Sequence, residues 1–291
     1  MKAGRVSRTA EAAAALRANH HQNSSNPVFS DEYAYAMTNA RWRLLLNNSM
    51  FRKVLNTTPV NQSFGRLTAQ VVARRSRYAE DRLLEAIANG IQQYVLVGAG
   101  LDSFVLRMAE QYPELKIFEV DHPDTQKIKI HKLKKLGTIP SNVAFVSIDF
   151  EKEKLSDALL RSSYDTKAPA FFSWLGTTHY LNPETTLATL QNIASIASSN
   201  SELVMDYSID YRALEGIERI GSFAITQFTR LLNEPLLGTF ASEYLHQAVE
   251  KMGYIVLEDL SGTEITERYF HQRTDQIRHT QATHLIHLQI V

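Results

Sequence analysis

From Tyr94 to the end of the chain, short apolar runs alternate with longer stretches of helical spacing, and polar turn residues separate the two. That alternation predicts a mostly parallel sheet with helices on both faces. Strands fall near residues 94–98, 116–120, 143–148, 170–174, 202–207, 254–259 and 283–291. Helices fit between them, such as 123–136 with Gly137 as its stop signal and 183–197 with Asn182 as its N-cap. Two regions break the alternation. Residues 1–90 read as helical, with polar loops at 19–27 and 56–65, and residues 208–240 read as a helical insertion between the fifth and sixth strands. Helical additions at those places predict a lid over the sheet edge. With no repeat, low-complexity tract or linker, one domain is expected over 1–291: a helical cap at 1–90 and an α/β core at 91–291 carrying the insertion.

Candidate chemistry begins where the first strand ends. Val97 leads into Gly98-Ala99-Gly100-Leu101-Asp102, and a helical pattern starts at Ser103. About twenty residues on, a second apolar run ends in acids, Glu119-Val120-Asp121. Strand, glycine turn, helix and strand with a terminal carboxylate form the layout of a nucleoside-binding βαβ unit. Glycine lets the backbone approach a ligand, and the carboxylate can accept hydrogen bonds from both ribose hydroxyls. The pattern predicts adenosine without choosing the cofactor. A dinucleotide would place its pyrophosphate at the mouth of the following helix, where Asp102 would repel it. S-adenosylmethionine carries an ammonium, a carboxylate and a sulfonium but no phosphate, so Asp102 favours the methyl donor. A nicotinamide oxidoreductase is the competing cofactor class, and a turn serving only strand-to-helix geometry is the plainer alternative.

The long helical pattern before the first strand adds an arginine. Leu67, Val71, Tyr78, Ala79, Leu83 and Ala86 make one apolar stripe with Arg75 in its middle, while Arg74 and Arg77 point away. A guanidinium on a buried face needs an anion, either a structural partner or a ligand carboxylate. Arg82 also lies in the stripe, so the pattern alone does not select one arginine.

Composition removes several function classes. Thirty-one basic and 31 acidic side chains cancel, which argues against strong nonspecific attraction to nucleic acid or an anionic membrane. With no cysteine, disulfides, thiolate catalysis and cysteine metal sites are excluded. No apolar run approaches the roughly 18 residues of a membrane span, and residues 1–21 read as an amphipathic helix rather than a secretory signal. A cytoplasmic protein acting on a small molecule is expected, with its oligomeric state open. His179, beside Tyr180 at the exit of the fourth strand, stands where open α/β sheets place their ligands; it is a candidate base or a solvated loop histidine. His122 competes, but before Pro123 it can simply shape the turn. His20, His21, His279, His284 and His287 suggest a metal, yet His284 and His287 should face opposite sides of a strand, and no metal is expected.

In combination these motifs resemble one family. Arg75-Ser76-Arg77-Tyr78 with Glu80-Asp81, Val97-Gly98-Ala99-Gly100-Leu101-Asp102-Ser103 with Arg107, and Phe118-Glu119-Val120-Asp121-His122-Pro123 are similar to the leucine carboxyl methyltransferase group, including tetracenomycin-type polyketide O-methyltransferases. Asp149-Phe150, Phe171-Phe172-Ser173-Trp174-Leu175-Gly176, Tyr180-Leu181 with Pro183, and Glu267-Arg268-Tyr269-Phe270 with Arg273 extend the likeness over residues 8–275. The resemblance implies a Rossmann-like class I methyltransferase fold, seven-stranded and mostly parallel with lid helices, and S-adenosyl-L-methionine as cofactor. It also implies that Arg75 grips the donor carboxylate, that Gly98, Ala99, Gly100 and Asp102 form its turn, that Asp121 holds the ribose, and that Asp149 and Phe150 flank the adenine.

Two departures bear on the acceptor. Many members carry a donor-contacting glutamate just after the fourth strand, where this chain has Leu175. Carboxyl methyltransferases of the group often follow the third-strand Asp with Leu-Arg, and here Asp149 is followed by Phe150-Glu151-Lys152. An acid in place of an acceptor-steering arginine argues against a protein carboxy-terminus as substrate. The expected activity is therefore O-methylation of a small acidic or phenolic metabolite, with His179 and Tyr180 as catalytic candidates. The alternatives are a donor-binding protein with lost or regulatory activity and the NAD-dependent oxidoreductase.

Overall fold

A computed structural model describes residues 8–51, 68–69, 71–72, 77–150, 152–231, 236–275 and 277–291. Its seven strands are β1 Gln93–Val97, β2 Lys116–Asp121, β3 Val143–Ser147, β4 Ala170–Trp174, β5 Glu202–Ser208, β6 Tyr254–Leu260 and β7 Thr283–Ile290. They lie in the order β3-β2-β1-β4-β5-β7-β6, and β7 runs antiparallel to both its neighbours while β1 to β5 pair in parallel. Every residue of β1 and β4 is buried, because helices cover both faces and leave no polar side for water. Val95, Val97, Phe118, Trp174, Met205 and Tyr207 pack on one face, and Leu96, Ile117, Phe171 and Val204 on the other. Strand order reverses between β1 and β4, and such a switch point opens a crevice at the carboxyl ends of the strands.

The helices are α1 Arg8–Asn23, α2 Ala34–Met37, α3 Ala40–Asn47, α4 Ala79–Ala88, α5 Phe104–Arg107, α6 Pro123–Leu136, α7 Leu155–Leu160, α8 Pro183–Ile196, α9 Gly216–Leu231, α10 Ser242–Lys251 and α11 Gly262–Phe270. Asn182 caps α8 by accepting a 2.7 Å bond from the Thr185 N–H. Asn182→Ala is expected to lower stability by about 1 kcal/mol, read as a shift in urea midpoint at constant slope. His122 plays the same part for α6 through a 3.3 Å bond from Asp124 N–H to Nδ1, so it shapes the turn. Gly137 ends α6 with an extended backbone rather than the left-handed one that glycine usually supplies, its N–H bonded to the Leu133 carbonyl.

Two sequence-based boundaries move. Residues 19–23, read as part of a loop, continue α1, because its alanine face is buried (Ala10, Ala13, Ala14, Ala15, Ala18) and its polar side tolerates asparagine. The helix expected from Ser103 is a single turn, α5. The insertion at 208–240 contains the helix α9, followed by the segment at 236–241 that leads to α10. The polar loop at 56–65 and Arg75 lie outside the described residues. Ala10, Ala14 and Met37 of the N-terminal arm pack on Leu101, Val105 and Leu133, and Lys132 Nζ donates to the Met37 and Thr38 carbonyls. The arm therefore sits directly against the glycine turn. Among the described residues no helix is long and apolar enough to cross a membrane.

Candidate functional site

The turn after β1 is built by backbone geometry. Gly98 and Gly100 have φ of 70° and 51°, a left-handed region costly for side chains with a Cβ. A Cβ on Gly98 would lie 2.8 Å from Thr177 Cγ2, so glycine lets the Thr177 side chain pack directly against the turn. The Gly98 and Ala99 N–H groups donate to the Val120 carbonyl, fixing the turn to the end of β2. Asp121 completes the cradle: its Oδ2 accepts from Gly100 N–H at 2.5 Å and its Oδ1 from His122 N–H at 2.6 Å. The two glycines and the acid, read together in the sequence as one unit, are joined by these bonds.

Asp102 is buried and accepts a 2.7 Å bond from the N–H of Phe104, the first residue of α5. Burial opposes its ionisation, but Arg17, Arg107 and Lys129 outweigh that and hold its carboxyl below the usual range. A fixed negative charge at this helix mouth suits a ligand with an ammonium better than one with a pyrophosphate. At the exit of β3, Ile148 N–H donates to the Asp121 carbonyl at 3.0 Å, which sets Asp149 and Phe150 beside the cradle. Phe150 is 38 % exposed. Asp149 Oδ2 holds Lys152 Nζ at 2.7 Å.

The exit of β4 forms the opposite wall. Leu175 is buried and, with Tyr94, Leu96, Val97, Gly98, Ala99, Asp102 and Ser173, lines a cavity of about 20 Å³ beside the turn. The following turn is held by Asp206 at the end of β5, whose two carboxylate oxygens accept from Gly176 N–H at 2.9 and 3.0 Å. Thr178 Oγ1 donates to the Asp206 carbonyl at 2.6 Å. Asp206 was not singled out from the sequence, although a carboxylate inside the run Leu203-Val204-Met205-Asp206-Tyr207 is a signal for it. Beyond Thr177 the chain makes one tight turn, Thr178–Tyr180, with the His179 and Tyr180 rings 5.0 Å apart. The His179 carbonyl accepts from Leu237 and Gly238 N–H. A Cβ on Gly238 would lie 2.5 Å from the Thr178 and Leu181 carbonyl oxygens, so glycine allows the segment after α9 to close on this turn.

Arg75 is not described, but α4 follows it closely. Tyr78 is fully buried and donates through its hydroxyl to Glu258 Oε2 at 2.6 Å. Arg82, the other stripe arginine, pairs with Glu85 at 2.8 Å and lies over the Tyr78 ring, so it has a structural role. Glu80 and Arg107 meet in a two-pronged ion pair. The histidines raised as metal ligands are separate: His20 Nε2 accepts from Val28 N–H, His284 contacts Asp259 and Tyr207, and His287 contacts Glu202 on the other face. Burial pushes the His20 imidazole down to about 4.

The model of the leucine carboxyl methyltransferase family matches residues 10–194. A Bacillus subtilis protein assigned as an S-adenosyl-L-methionine-dependent methyltransferase is 33% identical over 217 residues, covering 73% of this chain and 70% of its own. A protein of Mycolicibacterium paratuberculosis with the same assigned activity is 27% identical over 229 residues, covering 76% and 73%. Among solved structures, a protein of Thermobifida fusca described as a methyltransferase superposes with a TM-score of 0.63 at 15% identity, over 99% of this chain and 96% of its own. Magnesium protoporphyrin IX methyltransferase of Synechocystis, solved with bound SAH, gives 0.50 at 10% identity over 84% and 99%. The last two likenesses concern the fold. The chain belongs to the leucine carboxyl methyltransferase family and is an S-adenosylmethionine-dependent methyltransferase.

Proposed function

We propose that the enzyme transfers the methyl group to an oxygen of a small acidic or phenolic acceptor, with the donor held by Gly98, Ala99, Gly100, Asp102, Asp121, Asp149, Phe150 and Arg75. The observation that carries this reading is the β4 exit. Thr177 sits against Gly98 while His179 and Tyr180, two and three residues on, lie under the segment that returns from α9. S-adenosylmethionine supplies an electrophilic methyl when bound. The chain's own work is to orient it and exclude water, since an in-line displacement gains most from positioning. Asp121 orients the ribose, and Phe150 offers a face to the adenine. His179 takes the acceptor proton at its imidazole if that acceptor is a hydroxyl; Tyr180 flanks it and shapes the acceptor wall. A carboxylate acceptor would need no base.

Product chemistry tests the oxygen. With isotopically labelled donor and a panel of phenols and carboxylic acids, label should enter an ether that survives mild alkali or an ester that does not. Label appearing only on nitrogen would reject O-methylation. A donor-binding protein with little turnover is the second reading, favoured by buried, apolar Leu175 beside the glycine turn, where many family members carry a donor-contacting glutamate. It predicts tight S-adenosylhomocysteine binding with no labelled product from any extract.

The lid expectation has its own test. If the N-terminal arm and the insertion cover the site, donor binding should order them. S-adenosylhomocysteine should then slow proteolytic cleavage at 56–65 or 212–238 severalfold. Equal cleavage rates with and without it at both segments would count against a lid.

A further inference from the structure

We propose that Arg17, far from the glycine turn in sequence, is a positioning residue for donor binding: from α1 it fixes the backbone of that turn. Its side chain is 1% exposed and makes two bonds at once. Nη2 donates to the Leu101 carbonyl at 2.7 Å, and Nε donates to Asp31 Oδ2 at 2.8 Å. Leu101 directly follows Gly100, whose N–H is bonded to Asp121. Arg17 thus grips the far side of the peptide segment that Asp121 grips from within.

The grip is part of a buried chain of charge. Asp31, also 1% exposed, has its Oδ1 4.0 Å from Arg107 Nε. Arg107 donates to Ser103 Oγ at 2.9 Å and to both oxygens of Glu80 at 2.9 and 2.5 Å, with its guanidinium 4.6 Å above the Phe29 ring. The N-terminal arm, the turn, α5 and the start of α4 are therefore one electrostatic unit. Asp102 belongs to it, because Arg17 is the foremost cation holding that carboxyl ionised. Without Arg17, the Leu101 carbonyl and the Asp31 carboxylate would both be buried without a strong donor, a costly state. Movement of the turn that exposes the Leu101 carbonyl to water relieves it. The arm accordingly contributes to the donor site itself and does more than cover it.

The proposal rests on placing the donor at the glycine turn, and the test keeps the two apart. Wild type, Arg17→Lys and the charge-removing pair Arg17→Met/Asp31→Leu are titrated calorimetrically with S-adenosylhomocysteine well below their melting temperatures. Lysine keeps a charge for Asp31, and with it the fold, but cannot present the two-directional fork of a guanidinium. Both variants should bind roughly tenfold more weakly. For Arg17→Lys, donor KM should rise with kcat at saturating donor nearly unchanged. A purely structural role predicts that Arg17→Lys, and the double variant if it folds, bind within twofold of wild type, and that result overturns the proposal. Asp121→Ala, run alongside, keeps the two apart: wild-type binding there would defeat the donor placement on which the proposal rests, whereas weakened binding there with unchanged binding in both Arg17 variants would overturn the role of Arg17 alone.

Discussion

Asp121→Ala is expected to weaken S-adenosylhomocysteine binding by about 1.5–3 kcal/mol, the scale of lost hydrogen bonds to a charged group. The ribose hydroxyls lose their acceptor, and the Gly100 and His122 N–H groups lose theirs. Asp121→Asn separates the two losses, because an amide oxygen can still serve one backbone N–H while the charge is gone; its defect should be smaller. Arg75→Met is expected to cost at least as much as Asp121→Ala by stranding the donor carboxylate. Titration of both variants is the check. Unchanged affinity in Asp121→Ala and Arg75→Met together would discard the donor-site assignment.

The second large effect concerns proton removal. For a hydroxyl acceptor, kcat should fall on the acid side, over the range in which the base takes up a proton. Protonated imidazole cannot accept the acceptor's proton, so activity present above that range disappears as pH falls. His179→Ala should remove the limb and lower kcat by roughly a hundredfold. For a carboxylate acceptor, already ionised at neutral pH, kcat should stay flat and His179→Ala should disturb positioning only. Glu151 in place of the acceptor-steering arginine and the roofed position of His179 favour the hydroxyl. A flat profile that His179→Ala leaves untouched would remove the base and restore carboxyl methylation.

The sheet was legible because strands buried on both faces are written as plain apolar runs: each expected strand agrees with β1 to β7 to within a residue or two. The acid at the end of β2 was legible for the same reason, since it closes the apolar run that forms the strand. Residues 19–23 were misread as a loop because asparagine and histidine look like a turn until the buried alanine face of α1 is seen. Asp206 escaped notice because its partner is the amide of Gly176, 30 positions away. Arg17 escaped because nothing local distinguishes it from a surface arginine; its carbonyl partner lies 84 positions on. Local pattern reports the strands and the turn, whereas the long-range bonds that hold the turn in place are set by tertiary packing.

The most direct test of the account is a crystal structure with S-adenosylhomocysteine bound. The account predicts the ribose hydroxyls on the Asp121 carboxylate, the adenine beside Asp149 and Phe150, the amino-acid end over Gly98 to Gly100, and its carboxylate on Arg75. The ligand lying away from the glycine turn, or Asp121 turned from the ribose, would contradict it.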